Sequence, residues 1–171
     1  GENELDLALE LLASQSKAQY IYLVDSYGSL YPEQVRRLAD KYIKIAEKYG
    51  KNVGIHAHNN QQLAFANTIT ALTRGVSYLD ATVNGMGRGA GNCASEQLLG
   101  FLKNPKYDII PLLKFLEKHI VPLKESGVVW GYNIPYLLTG QMNRHPRSAI
   151  AATKEKRTDF LNFYLELGDK D

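Results

Sequence analysis

Two of the four histidines in this 171-residue chain stand two positions apart, in His56-Ala-His58. Residues at i and i+2 on a strand share one face, so both imidazoles project the same way. Neutral imidazoles a few ångströms apart are a natural pair of ligands for a divalent metal ion. A pair of hydrogen-bonded core histidines is the competing reading. Two ligands do not complete a site, so a carboxylate, an amide oxygen or water has to join them. The loop Asn84-Gly-Met-Gly-Arg-Gly-Ala-Gly-Asn92 carries glycines at 85, 87, 89 and 91. It follows neither the dinucleotide-binding nor the P-loop spacing. Its glycines let the backbone take positive φ and approach a ligand closely; a plain flexible loop is the alternative. Asn92 offers an amide oxygen to a metal, or equally an N-cap to the helix that follows. Ser26 can hydrogen-bond a substrate carboxylate or serve only the local turn. Asn59-Asn60 reads as a turn and N-cap, Cys93 as structural, and Lys154-Glu-Lys-Arg157 as a solvated helix end.

Positioning these groups falls to an alternating pattern. Leu5, Ala8, Leu9 and Leu12 mark one face of a helix. Tyr20–Asp25 reads as a buried strand, rich in aromatic and β-branched residues. Pro32 opens a helix whose apolar stripe runs to Tyr49, with Gly50 as its stop. Asn52–Ala57 is a second strand, Gln61–Arg74 a helix, Val76–Val83 a third strand, and Ala94–Lys103 a further helix. Both histidines therefore sit at a strand's C-terminal end, where parallel α/β proteins keep their sites. Strands that begin near 20, 52 and 76 with helices between them predict βαβ units and a parallel sheet. A (β/α)₈ barrel averages roughly 31 residues per unit, but doubly wound sheets have similar steps. After Pro105 the alternation ends, and helices are expected over Ile109–Ile120, Pro135–Asn143 and Thr158–Leu167.

Composition narrows the classes. With 44% hydrophobic and 10% aromatic residues the chain can build a core, which argues against disorder. A net charge of +2 is too weak to imply nucleic acid. No apolar run approaches the roughly 18 residues of a membrane span. One cysteine fits a reducing compartment, so a cytoplasmic location is expected.

Three stretches carry a family resemblance: Val53-Gly-Ile-His-Ala-His-Asn-Asn60, Leu63-Ala-Phe-Ala-Asn67 and Asp80-Ala-Thr-Val-Asn84 continuing through the glycine loop to Asn92. Together they resemble the HMG-CoA-lyase-like metal-dependent TIM-barrel superfamily, and within it the 4-hydroxy-2-oxovalerate aldolases. The strand end Leu23-Val-Asp-Ser-Tyr-Gly28 is comparable too. The resemblance is good over about residues 20–100 and weak in the tail. It implies a TIM barrel with its site at the C-terminal face, His56 and His58 as metal ligands and Asn92 as a metal contact. It also implies substrate contacts at Ser26 and His56, and a catalytic tyrosine at Tyr132, with Tyr136 as the competing match. The ion would be Mn²⁺ or Mg²⁺. The reaction would be reversible cleavage of a 4-hydroxy-2-oxo acid to pyruvate and an aldehyde, with the ion as Lewis acid.

The family's strand-one Arg-Asp pair and its nearby base have no match here. The chain is therefore expected to be the C-terminal half of the barrel, strands six to eight, with residues 1–104 as a partial catalytic domain and 105–171 as a helical extension. Such a piece would be inactive alone, and its open sheet edges predict homo-oligomerisation. An aldehyde dehydrogenase is the partner the resemblance implies, though nothing in the 105–171 tail carries that over. A Claisen-type acyltransferase of the isopropylmalate synthase kind is the alternative activity. Its loop usually has Glu-Arg where this chain has Arg88-Gly89. A non-catalytic homologue is the third reading.

Overall fold

The computed structural model describes residues 2–168. Three parallel strands, β1 (Tyr20–Asp25), β2 (Asn52–Ala57) and β3 (Tyr78–Leu79), lie in chain order in one sheet. Tyr20 pairs with Asn52 and the register runs through to Asp25 beside Ala57, while Gly54 and Ile55 pair with Tyr78 and Leu79. Helices α1 (Glu2–Gln15), α2 (Pro32–Lys48), α3 (Ala64–Thr73) and α4 (Ser95–Leu102) complete this part.

Alternation along the strands decides which face is covered. Ile21 and Leu23 of β1, and Val53, Ile55 and Ala57 of β2, join Val35, Ala39 and Ala46 of α2 and Ala64 and Ala71 of α3 in one buried cluster. Each fully buried valine, leucine or isoleucine there contributes about 1.5–3 kcal/mol. The opposite face carries Tyr20, Tyr22, Val24, His56 and Tyr78, all exposed or half-buried. Helix α2 begins as its sequence demands. Pro32 fits the first turn, the Tyr31 backbone N–H donates to Gln34 Oε1 at 2.8 Å, and the chain leaves through Gly50 at φ +61°.

Two boundaries differ from the sequence pattern. The third strand is two residues long, not Val76–Val83. Ser77 N–H and Asp80 N–H still bond to β2, but Thr82 turns away to pair with Cys93 and Ala94. Helix α3 starts at Ala64 and not at Gln61, because Asn59–Gln62 form a turn with Gln62 at φ +60°.

In the tail, α5 (Ile110–Phe115) runs through a π-helical turn, Leu116–Ile120, into α6 (Val121–Glu125). Pro122 lacks an N–H and crowds the carbonyl four residues back, so the helix widens and Val121 N–H reaches Leu116 O. Three more helices follow: α7 (Ile134–Gln141), α8 (Arg147–Lys154) and α9 (Phe160–Gly168). The apolar pattern does not predict α8. It is a short alanine-rich helix entered through Pro146. Tyr136, Ala149, Ala152, Phe163 and Leu167 form a second core together with Ala90 of the glycine loop, so the tail is packed on that loop.

Candidate metal centre

His56 is the penultimate residue of β2 and His58 lies just beyond the strand's end, with ring centroids 5.2 Å apart. The Nδ1 of each ring is occupied. His56 Nδ1 lies 3.1 Å from Asp80 Oδ2, and His58 Nδ1 lies 3.2 Å from the Gly91 carbonyl oxygen. A carbonyl oxygen can only accept, so His58 Nδ1 carries the proton and its Nε2 lone pair is left for a ligand bond. The carboxylate of Asp80 sets the same tautomer at His56. Burial holds the His58 pKa below its ordinary value, and the neighbouring His56 and Arg88 charges push it the same way. His58 is thereby kept in the neutral form that binds metal.

The strand end and the glycine loop are joined by backbone bonds. Asn59 N–H donates to Gly91 O at 2.9 Å and Cys93 N–H to Ala57 O at 3.3 Å, while His58 and Asn92 form an antiparallel bridge. Directly paired residues of an antiparallel bridge present their side chains on one face, so Asn92 stands beside His58. Its Nδ2 donates to Met86 O at 3.2 Å, whereas its Oδ1 is buried and has no hydrogen-bond partner among the described residues. Helix α4 is preceded by Ala94 without a side-chain cap, so Asn92 does not serve as its N-cap. A buried amide oxygen without a partner is costly, and coordination to a cation relieves that cost. Two imidazole Nε2 atoms and one amide oxygen are a donor set that suits a divalent first-row ion. Among the described residues, no group of three or more His, Cys, Asp or Glu side chains is placed to hold a metal ion.

The glycines of the loop are required where it folds back on itself. Gly91 sits at φ +82°, where a Cβ would collide with Gly85 O. A Cβ on Gly87 would collide with the Asn92 amide. From the tail side, Trp130 Nε1 donates to Asn84 O at 2.9 Å and Gly131 N–H to Gly89 O at 3.0 Å.

The remaining sequence candidates fall in different places. Ser26 is exposed at the end of β1, and its carbonyl accepts from Arg88 Nη2 at 3.0 Å. The ring of Tyr136 lies against Gly89, and its backbone oxygen accepts from Asn60 Nδ2 at 3.4 Å. Tyr132 instead borders a groove of about 420 Å³ in the tail, with Asn133, Thr153, Lys156 and Phe160. Asn59 behaves as a cap, its Oδ1 accepting from Ala64 N–H at 3.2 Å. Cys93 is buried and free, and burial raises its pKa, which fits a structural thiol. The sequence motifs assign no individual role to Asp80 or Arg88. For Asp80 a signal exists, since Tyr78-x-Asp80 keeps the alternation of β3 and returns the carboxylate to the histidine face.

A family model described as HMGL-like matches residues 4–115. The 4-hydroxy-2-oxovalerate aldolase of Thermus thermophilus is 40% identical over 176 residues, covering 93% of this chain and 48% of that protein. The Bacillus cereus protein of the same name is 29% identical over 180 residues, covering 95% of this chain and 50% of its own. The solved N-terminal domain of a Bacteroides vulgatus protein described as an aldolase superposes with a TM-score of 0.74 at 35% identity, covering 89% of this chain and 50% of that one. The chain spans about half the length of the curated relatives it matches. The parallel strands, the histidine pair and the glycine loop all lie inside the matched span, and the chain belongs to the HMGL-like family.

Proposed function

We propose that this chain is the part of a divalent-metal-dependent aldolase that carries its histidine ligands. The enzyme would cleave a 4-hydroxy-2-oxo acid to pyruvate and an aldehyde. The observation that carries this reading is the His56–His58 pair, with Nδ1 engaged on both rings and Nε2 left to coordinate. The names of the aldolase relatives support the reaction type. In this reading β1, β2 and β3 are strands six to eight of a (β/α)₈ barrel and residues 105–171 form an extension. The tyrosine-lined face of the sheet then looks into the barrel.

His56, His58 and Asn92 would hold Mn²⁺ or Mg²⁺. The ion supplies Lewis acidity, stabilising the negative charge that develops on the 2-oxo group as the carbon–carbon bond breaks. His58 remains unprotonated because it is half-buried near two cationic or potentially cationic neighbours. Asp80 fixes the His56 ring, and the Gly91 carbonyl fixes the His58 ring. Ser26, exposed at the strand end, is placed to donate to the substrate. Tyr136 shapes the loop from behind, while Tyr132 stays in the tail groove. In this reading the base and a charged metal ligand belong to the rest of the barrel, so the chain alone turns over little substrate and tends to self-associate through its sheet edges.

The test is pyruvate enolisation, followed by exchange of methyl protons with deuterium, in the protein at its full natural length. Added Mn²⁺ is expected to raise the rate, and His56→Ala or His58→Ala to abolish the response. An exchange rate indifferent to metal would overturn the reading.

A further inference from the structure

Among the described residues, Arg88 is a cation without a carboxylate partner at the rim of the histidine site. The glycine loop that bears it is held in place. Gly91 N–H closes a turn onto the Arg88 carbonyl at 3.1 Å, Gly131 N–H bonds to Gly89 O, and the Tyr136 ring backs Gly89. From this fixed position the guanidinium crosses to the β1 end and donates one N–H, from Nη2, to the Ser26 carbonyl. A guanidinium has five N–H donors, and a neutral carbonyl does not cancel its charge.

The acidic side chains nearby in the fold are engaged elsewhere. Asp25 is buried and accepts from the Ser29 and Leu30 N–H groups, Glu96 accepts from Asn84 N–H, and Asp80 faces His56. Among the described residues Arg88 forms no ion pair. An exposed serine and an arginine fork therefore converge on one strand end at the rim of the site.

We propose that Arg88 is a substrate-binding residue, its unused guanidinium N–H groups holding the carboxylate of the 2-oxo acid beside Ser26. The identity of that anion rests on the aldolase reading. Charge-assisted and forked hydrogen bonds make this a strong contact, and lysine would reproduce the charge but not the fork. The bland alternative is a latch, in which Arg88 merely ties the loop to the β1 end through Ser26.

Calorimetric titration of oxalate, a planar mimic of the 2-oxo acid, tests this with Mn²⁺ present and the protein at full natural length. Arg88→Ala and Arg88→Gln are both expected to weaken oxalate binding by about 10- to 100-fold, and Arg88→Lys to restore part of it. Mn²⁺ affinity measured without oxalate is expected to stay within about twofold in all three. Glutamine can still donate to the Ser26 carbonyl, so wild-type oxalate affinity in Arg88→Gln shows a latch and overturns the proposal. Unchanged affinity in Arg88→Ala overturns it as well. If the wild-type protein binds Mn²⁺ yet no oxalate, the 2-oxo acid reading falls and this proposal with it. Urea midpoints of the three variants confirm that each is folded.

Discussion

Asp80 Oδ2 lies 3.1 Å from His56 Nδ1, across the step from β3 to β2. A carboxylate behind a metal-binding imidazole orients the ring and raises its basicity. Asp80→Asn keeps the shape and removes the charge. It should lower Mn²⁺ affinity about 10- to 100-fold with little effect on folding, since both side chains are partly exposed. Manganese titration followed by paramagnetic resonance measures this. Equal affinity in the variant would show that the contact is incidental.

Asn92 separates a ligand from a structural residue. Its Oδ1 makes no hydrogen bond, so removing it forfeits none. Asn92→Ala is expected to weaken metal binding while changing the apo unfolding free energy only through Nδ2, by about 0.5–1.5 kcal/mol. Asn92→Asp should tighten Mn²⁺ binding by adding a charged oxygen at the same place. Weaker binding in the aspartate variant would argue against coordination.

Burial raises the pKa of Asp25 despite the backbone N–H groups bonded to it. A carboxyl whose folded pKa exceeds its unfolded value near 3.8 contributes stability that is fully present below that value. The contribution is lost as pH rises through the folded pKa. Asp25→Asn cannot titrate. The stability of wild type relative to Asp25→Asn should therefore be greater at pH 3.5 than at pH 7, as read from urea midpoints. The opposite trend would show that the backbone bonds outweigh burial.

Gly91 adopts φ +82°, and a Cβ there meets the Gly85 carbonyl. Gly91→Ala should cost about 1–3 kcal/mol and loosen the carbonyl that orients His58. Thermal unfolding checks the first effect and Mn²⁺ affinity the second. A stable variant with weakened metal binding would mean that the loop yields locally without unfolding.

Much of the sheet is legible in the residues. Tyr20–Asp25 and Asn52–Ala57 form strands with the bounds the sequence pattern suggests, because Ile21, Leu23, Val53, Ile55 and Ala57 alternate onto the face the helices cover. Val76–Val83 carries the same composition yet pairs over only two residues. Pairing depends on a partner, and Thr82 finds one in the segment after the loop. Gln62 at positive φ has no glycine to announce it, which is why α3 starts late. The histidine pair shows itself through its period of two. The contact of Arg88 with Ser26 spans 62 positions and depends on how a glycine loop closes, which no local pattern encodes.

The loop that orients His58 is also a wall of the second hydrophobic core. Ala90 is buried among Tyr136, Ala149, Ala152, Phe163 and Leu167, while Trp130 and Gly131 grip the loop's backbone. Helices α7 to α9 therefore share packing with the loop that orients His58, and a ligand that orders this loop would be linked to the tail without touching it. By reciprocity, whatever binding free energy the site gains from an ordered loop reappears as resistance of the tail to local opening. Amide exchange in the tail would then serve as a remote gauge of whether the site is filled.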